Sequence, residues 1–165
     1  MDLNQLQAFI KQQDLPDFRY RQIVKNYYSG RYLNFNQMTD LSLDLRQKLS
    51  QKLSLLSVSE DKIVGDESTK KALFKLQDNQ KIESVLMDYE DWLTVCVSSQ
   101  VGCSLGCSFC ATGKMGFKRN LTSSEIIEQV LYFSRFLKNK KERVDNLVFM
   151  GMGEPFLNYD AVLGA

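Results

Sequence analysis

Three of the four cysteines of this chain fall within eight residues, as Cys103-Ser-Leu-Gly-Cys107-Ser-Phe-Cys110. Three thiolates this close suit a metal or an iron–sulfur cluster better than they suit packing. They can take three corners of a cubane [4Fe–4S] cluster, whose fourth iron then stays open to chelate a small molecule. A structural zinc site wants four ligands, often as two Cys-x2-Cys pairs. Here only Cys107 and Cys110 form such a pair, and the chain has no histidine. Cys96, seven residues upstream, could complete a four-thiolate site or be a core cysteine in a strand. Glu83 is a second chemical candidate. Period-two alternation puts it on the face of Val85 and Met87. A carboxylate there is either a solvent-facing edge position or a general base in a partly dry pocket. The third candidate is Gly153-Glu154, in a glycine-punctuated turn after an apolar run.

The chain that positions these groups has 165 residues, 44% hydrophobic and 25% charged, with a net charge of +1. That composition is ordinary for a globular protein with a sizeable core. So small a net charge gives no global pull toward nucleic acid, so any RNA contact must come from local patches. No apolar run approaches the roughly 18 residues of a membrane span, and residues 1–13 lack a signal peptide's apolar region. A cytoplasmic, reducing setting follows, which favours free thiolates over disulfides.

Helical spacing of Leu3, Leu6, Phe9 and Ile10 predicts a first helix over 2–13. Pro16 and Asp17 open a second, with Phe18, Ile23, Val24 and Tyr27 apolar, closing near Gly30. A third runs from Ser42 to Leu56 on Leu45, Leu49, Leu53 and Leu56. Basic residues are scattered through this region, which reads as a helical accessory domain (1–57) with a solvated or RNA-docking face. A connector (58–90) carries a hairpin of Lys71–Leu76 and Lys81–Met87, followed by a loop at Asp88–Trp92. Leu93–Val97 then reads as a buried strand. Thr122 and Glu125 form a capping box opening a helix on Ile126, Ile127, Val130, Leu131, Phe133 and Leu137. Lys138, Lys140, Lys141 and Arg143 near its end suit the helix dipole. Val144–Met150 is a second buried strand. Strand, helix and strand make a βαβ unit with parallel strands, so the fold class is α/β. Ligands of such units bind at the C-terminal strand ends, where both the cysteine loop and Gly153-Glu154 lie.

The cysteine spacing with Phe109 resembles the signature of radical S-adenosylmethionine (SAM) enzymes. Wider text narrows it: Cys96-Val-Ser-Ser-Gln-Val-Gly-Cys103, Phe109-Cys110-Ala-Thr-Gly113, Arg119-Asn-Leu-Thr122, and Met150-Gly-Met-Gly-Glu-Pro155 with Asn158-Tyr159. With Phe18-Arg19, Gln22-Ile23 and Met38-Thr39 upstream, the whole chain resembles the bacterial enzymes that methylate C2 of an adenine in 23S rRNA and in tRNA. The resemblance implies that residues 91–165 begin a radical SAM (β/α) partial barrel. It implies that Cys103, Cys107 and Cys110 ligate a [4Fe–4S] cluster, and that Gly153 and Glu154 contact S-adenosyl-L-methionine. It further implies Glu83 as proton acceptor and Cys96 as the group that helps resolve a covalent enzyme–RNA intermediate. The partners implied are 23S rRNA, tRNA and an electron donor such as flavodoxin or ferredoxin, on a monomer without membrane contact.

In that family a further cysteine, methylated first, carries the methyl group to C2, and it belongs to the C-terminal part. All four cysteines here have other matches, so the expectation is an N-terminal fragment, inactive alone, with an exposed sheet edge after Met150. Trp92 departs from the arginine common in the C2 enzymes and matches the related adenine-C8 methyltransferases of antibiotic resistance. Val101 and Pro155 resemble the C2 group. The competing class is a zinc-stabilised RNA-binding module.

Overall fold

The computed structural model describes residues 1–138 and 142–165, with the side chain of Lys138 outside that description. Lys140 and Lys141, expected near a helix end, therefore also lie outside the described residues. The chain divides into two compact units, Met1–Ser57 and Val58–Ala165.

The first unit is helical. Asp2 caps α1 (Leu3–Gln12) by accepting from the Asn4 and Gln5 N–H groups, and Pro16 precedes α2 (Asp17–Tyr28). Ser42 caps α3 (Leu43–Lys52) through the Leu45 N–H. Leu6, Phe9, Ile10, Ile23, Tyr27, Phe35, Met38, Leu45 and Leu49 are buried. Two expectations are corrected. Phe18 is exposed, with the Arg19 guanidinium 4.6 Å from its ring centre, a cation–π contact in place of a core contact. Helix α3 stops at Lys52 and not at Leu56, because Leu53 has extended backbone (φ −131°, ψ 148°).

In the second unit β1 (Val58–Gly65), β2 (Thr69–Leu76), β3 (Lys81–Tyr89) and β4 (Trp92–Cys96) form an antiparallel run. A short ladder of β5 (Gln100–Val101) and β6 (Arg119–Asn120) follows, with α4 (Ala111–Lys114) between them. Then α5 (Ser123–Lys138) crosses to β7 (Asn146–Val148), which lies parallel to β4, and α6 (Tyr159–Leu163) closes the described chain. The sheet order is β1-β2-β3-β4-β7. The βαβ unit is therefore present as the periodicity predicts, with the capping box formed. The Glu125 N–H donates to Thr122 Oγ1 at 3.2 Å, and the Thr122 N–H to Glu125 Oε2 at 2.9 Å.

Helix α5 buries Ile126, Phe133 and Leu137 against Ala72, Phe74, Ile82, Leu86 and Val95 of the sheet. Alternation then turns Leu73, Glu83, Val85, Thr94 and Cys96 to the opposite face. Two sequence expectations give way here, and one strand goes unannounced. Strand β1 has no period-two pattern to announce it, because a bulge between Glu60 and Lys62 shifts its register against β2. Asp88–Trp92 is not a loop: β3 runs to Tyr89, β4 starts at Trp92, and only Glu90 and Asp91 turn between them. The second parallel strand keeps three residues of the seven expected and is not buried, Asn146 and Leu147 being exposed, and Arg143 pairs with Asp145 at 3.2 Å beyond the helix. Strand β7 is a terminal strand of the sheet, and Leu147, Met150, Phe156 and Leu163 are exposed near it in sequence.

Candidate functional site

The site is built on the four residues that leave β4. Val97 donates its N–H to Val148 O at 2.9 Å, prolonging the parallel pairing by one residue. Ser98 is then held on three sides. Its Oγ donates to Glu83 O at 2.6 Å and accepts from the Met152 N–H at 2.8 Å. Its backbone is paired by the Gln129 amide, which accepts from Ser98 N–H at 2.8 Å and donates to Ser98 O at 2.9 Å. A fully buried amide on a helix thus makes the two bonds that a neighbouring strand would make. Met152 O in turn accepts from both Ser99 and Gln100 N–H.

Beyond Val101 the chain enters the cysteine loop through a narrow neck. Gly102 has φ +74°, and a Cβ there would lie 1.8 Å from Gly116 O, so only glycine allows the two backbones to touch. Lys118 N–H donates to Val101 O and closes the neck. All three clustered cysteines sit inside this loop and are half-buried. The Cys110 N–H bonds Cys107 O at 3.0 Å, and Cys110 opens α4. The Gly113 N–H, then Thr112, hold the Cys110 thiol below the ordinary cysteine range. Leu105, Phe109 and Met115 leave the loop surface strongly apolar.

The loop supplies three sulfur donors and no competing hard ligand, the donor set a cubane cluster takes. Among the described residues no group of three or more potential ligands is gathered closely enough to hold a metal ion. The cysteine loop therefore fits a cluster by donor type and accessibility, with the thiols still to be drawn together. Cys96 is elsewhere. It is buried on β4, and burial raises its thiol pKa while a backbone hydrogen bond with Met150 opposes.

The Gly151-Met152-Gly153-Glu154 turn lies against the same frame. Gly153 has φ +96°, and a Cβ there would meet Gln100 Cβ at 2.5 Å. Gln100 Oε1 accepts from the Glu154 N–H at 3.0 Å, while its Nε2 donates to Asn120 Oδ1 at 2.8 Å. The Glu154 carboxylate accepts from Phe156 N–H at 3.1 Å and starts the 3₁₀ turn Pro155–Asn158. Buried Asn158 then donates to Ser99 O and Leu121 O, both at 2.8 Å.

Glu83 lies on β3, an interior strand, so it faces solvent as one reading expected but not at a sheet edge, and it is not in a dry pocket. It shares the open face with Cys96, whose neighbour across the ladder is Val85. Its carboxylate is half-exposed and pairs with Lys71 at 3.1 Å. Trp92 begins β4, at the end of the sheet opposite the cysteine loop, half-exposed beside Tyr89. The residue that spoke for C8 chemistry thus begins the strand that Cys96 ends, away from the cysteine loop.

Ser98 bonds the Glu83 backbone and the turn leading to Gly153-Glu154, and Cys96 ends the strand just before it. The cysteine loop follows Val101, and no side-chain bond among the described residues joins Glu83 or Cys96 to that loop. Ser98, Gln100 and Gln129 were missed. Their signal is a polar run where a buried strand ends, and an amide on an otherwise apolar helix face four residues after Glu125.

Two family models match: the ribosomal RNA large subunit methyltransferase N-terminal domain at residues 1–55, and the radical SAM superfamily at 97–164. A "Probable dual-specificity RNA methyltransferase RlmN" from Dictyoglomus turgidum is 44% identical over 162 residues, 98% of this chain and 47% of that protein. One of the same description from Chlorobium phaeobacteroides is 47% identical over 153 residues, 88% of this chain and 42% of its own length. A crystal structure of a radical SAM methyltransferase from Sphaerobacter thermophilus superposes with a TM-score of 0.91. It is 42% identical, and the match covers 99% of this chain and 48% of that one.

Over nearly its whole length the chain is similar to RlmN proteins. It spans under half the length of the RlmN relatives it matches. That similarity agrees with the α/β fold begun by the βαβ unit and with the radical SAM match over the cysteine loop. Among the described residues, no helix is long and apolar enough to cross a membrane.

Proposed function

We propose that this chain is the cofactor-holding part of an RNA methyltransferase acting at adenine C2 of 23S rRNA and of tRNA. One observation carries the reading. The neck of the cysteine loop, through Val101, and the Gly153-Glu154 turn, through Ser98 and Gln100, are both bonded to the single segment Ser98–Val101. A cluster held in the loop and a ligand held by the turn would therefore keep a fixed distance.

Cys103, Cys107 and Cys110 would hold a [4Fe–4S] cluster, and the Gly153-Glu154 turn would receive the methionine end of SAM. The cluster, when bound, supplies the electron for reductive cleavage of SAM. Glu83 would accept a proton on the open face of the sheet. Cys96, on that face and kept protonated by burial, would be a thiol that acts only when an RNA adduct reaches it. An electron donor of the flavodoxin or ferredoxin class, a cytoplasmic setting and a monomer complete the proposal.

Anaerobic reconstitution with iron and sulfide tests the cofactor part. Equimolar iron and sulfide, with an electron paramagnetic resonance (EPR) signal that changes on adding SAM, is expected. One tightly bound zinc and no cluster would overturn it. Mass spectrometry of rRNA and tRNA tests the rest, in a host lacking its own enzyme and complemented with the full-length gene. C2-methyladenine is expected; C8-methyladenine or unmodified RNA would sink the assignment.

A further inference from the structure

The face of the sheet turned away from α5 is basic where it approaches the site. Cross-strand pairing sets its rows. Ser59, Lys75 and Lys81 lie side by side across β1, β2 and β3. Lys62, Leu73 and Glu83 form the next row, and Val64, Lys71, Val85 and Cys96 the one after. Because β3 runs antiparallel to β4, Lys75 and Lys81 stand at the edge where β4 feeds the cysteine loop. Four lysines thus surround Glu83 on a floor of Leu73, Val85 and Met87.

Two of the four are paired: Lys71 with Glu83 at 3.1 Å and Lys81 with Asp61 at 2.8 Å. Both pairs are about half exposed, so neither fixes its lysine strongly. Lys62 and Lys75 have no acidic partner among the described residues. Lysines on a sheet commonly guard an edge strand against pairing with another chain. Edge protection is open to Lys62 on β1, although Lys62 also stands in the row of Leu73 and Glu83 on the face itself. It does not account for Lys71, Lys75 and Lys81, which lie on interior strands whose edges are already paired. An open sheet face with an apolar floor and a cationic rim is complementary to a nucleotide chain, whose phosphates seek ammonium groups.

We propose that the open face of β1–β3 binds the sugar–phosphate backbone of the RNA substrate, with Lys62 and Lys75 as its uncommitted phosphate contacts beside Glu83. The inference rests on the RNA-directed reading above and adds where the RNA lies. These contacts position the strand and carry no sequence preference.

The experiment measures binding of a fluorescein-labelled, unmodified tRNA transcript to the chain by anisotropy, from 50 to 200 mM salt. The double variant Lys62→Glu/Lys75→Glu should bind at least tenfold more weakly at the low-salt end. The slope of log affinity against log salt should fall by about 1.5 from two lost phosphate contacts. Lys62→Arg/Lys75→Arg should retain both. Circular dichroism and reconstituted iron content should match the parent chain, since neither lysine touches the core or the cysteine loop. Parent-like affinity and slope in the double glutamate variant would overturn the proposal, including the case where residues 1–57 alone bind RNA. A parent chain that binds no RNA would instead defeat the RNA reading itself, and this surface with it.

Discussion

Gln100 accepts the Glu154 N–H at 3.0 Å across a sequence separation of 54 residues. Its other amide atom donates to Asn120 at 2.8 Å, so one side chain joins β5, the ladder behind the cysteine loop and the Gly153-Glu154 turn. Gln100 is almost fully buried, which makes each bond costly to lose. It is a positioning residue in the proposed site: it touches no reacting atom and sets where the turn sits.

Replacing it with leucine preserves volume and leaves the Glu154 N–H without its acceptor. Gln100→Leu is expected to load iron and sulfide like the parent chain but to bind SAM roughly tenfold more weakly, the scale typical of supporting hydrogen bonds around a metal site. The SAM-dependent change in the EPR spectrum reads this directly. Gln100→Glu keeps an acceptor for Glu154 and should recover most of the response. Equal loss of cluster and SAM binding in both variants would mean that Gln100 merely supports the fold.

A stricter test of the same contact is Gly153→Ala. The added methyl would meet Gln100 Cβ at 2.5 Å and Gln100 N at 2.7 Å, in a backbone conformation that alanine disfavours. Strain of this kind costs on the order of 1–3 kcal/mol. A lower melting temperature is expected, with SAM binding reduced further than by Gln100→Leu. An alanine variant as stable as the parent would refute the close approach.

Arg119 holds a second junction, donating to Asp78 at 2.6 Å in the β2–β3 turn and to Glu125 at 2.8 and 2.9 Å on α5. The Arg119 guanidinium is the main cause holding the Asp78 carboxyl below its ordinary value of 3.8. A depressed carboxyl stabilises the fold above its unfolded value and stops doing so as pH falls through the folded one. Stability should therefore decline below pH 3.8, and Asp78→Asn should flatten that part of the profile. Arg119→Met should cost about 2 kcal/mol at neutral pH as well, because buried Glu125 loses its charged partner. Urea titrations from pH 2 to 7 measure both effects.

The cysteine loop and the capping box at Thr122 and Glu125 were legible because each depends on spacing within a short window, and the parallel pairing of β4 and β7 because a helix between two apolar strands dictates it. Strand β1 was not. Its bulge breaks the alternation a strand is recognised by, and its partner β2 is what makes it a strand. Asp88-Tyr89-Glu90-Asp91 reads as a loop on composition, yet ladder bonds to β4 override that preference for all but the two turn residues. Ser98, Gln100 and Gln129 were illegible for a different reason. Their importance lies in partners 15 to 54 residues away, which no local pattern encodes. Glu83 was seen as anomalous, but its salt bridge with Lys71 and its interior strand required the register.

The four thiols should also separate chemically. Cys96 is 8% exposed and burial raises its pKa, whereas Cys103, Cys107 and Cys110 are half-buried on an apolar loop. Alkylation proceeds through the thiolate and needs access, so both factors slow Cys96. With iodoacetamide at pH 7.5 and no metal present, peptide mass spectrometry should show the three loop cysteines modified well before Cys96. The Cys96 rate should keep rising as pH passes the ordinary thiol value of 9.0. Unfolding in urea should bring Cys96 to the rate of the others, which separates burial from any intrinsic inertness. If Cys96 reacts first in the folded chain, it is neither buried nor protonated as described, and its assignment as a thiol held in reserve on the open face of the sheet fails.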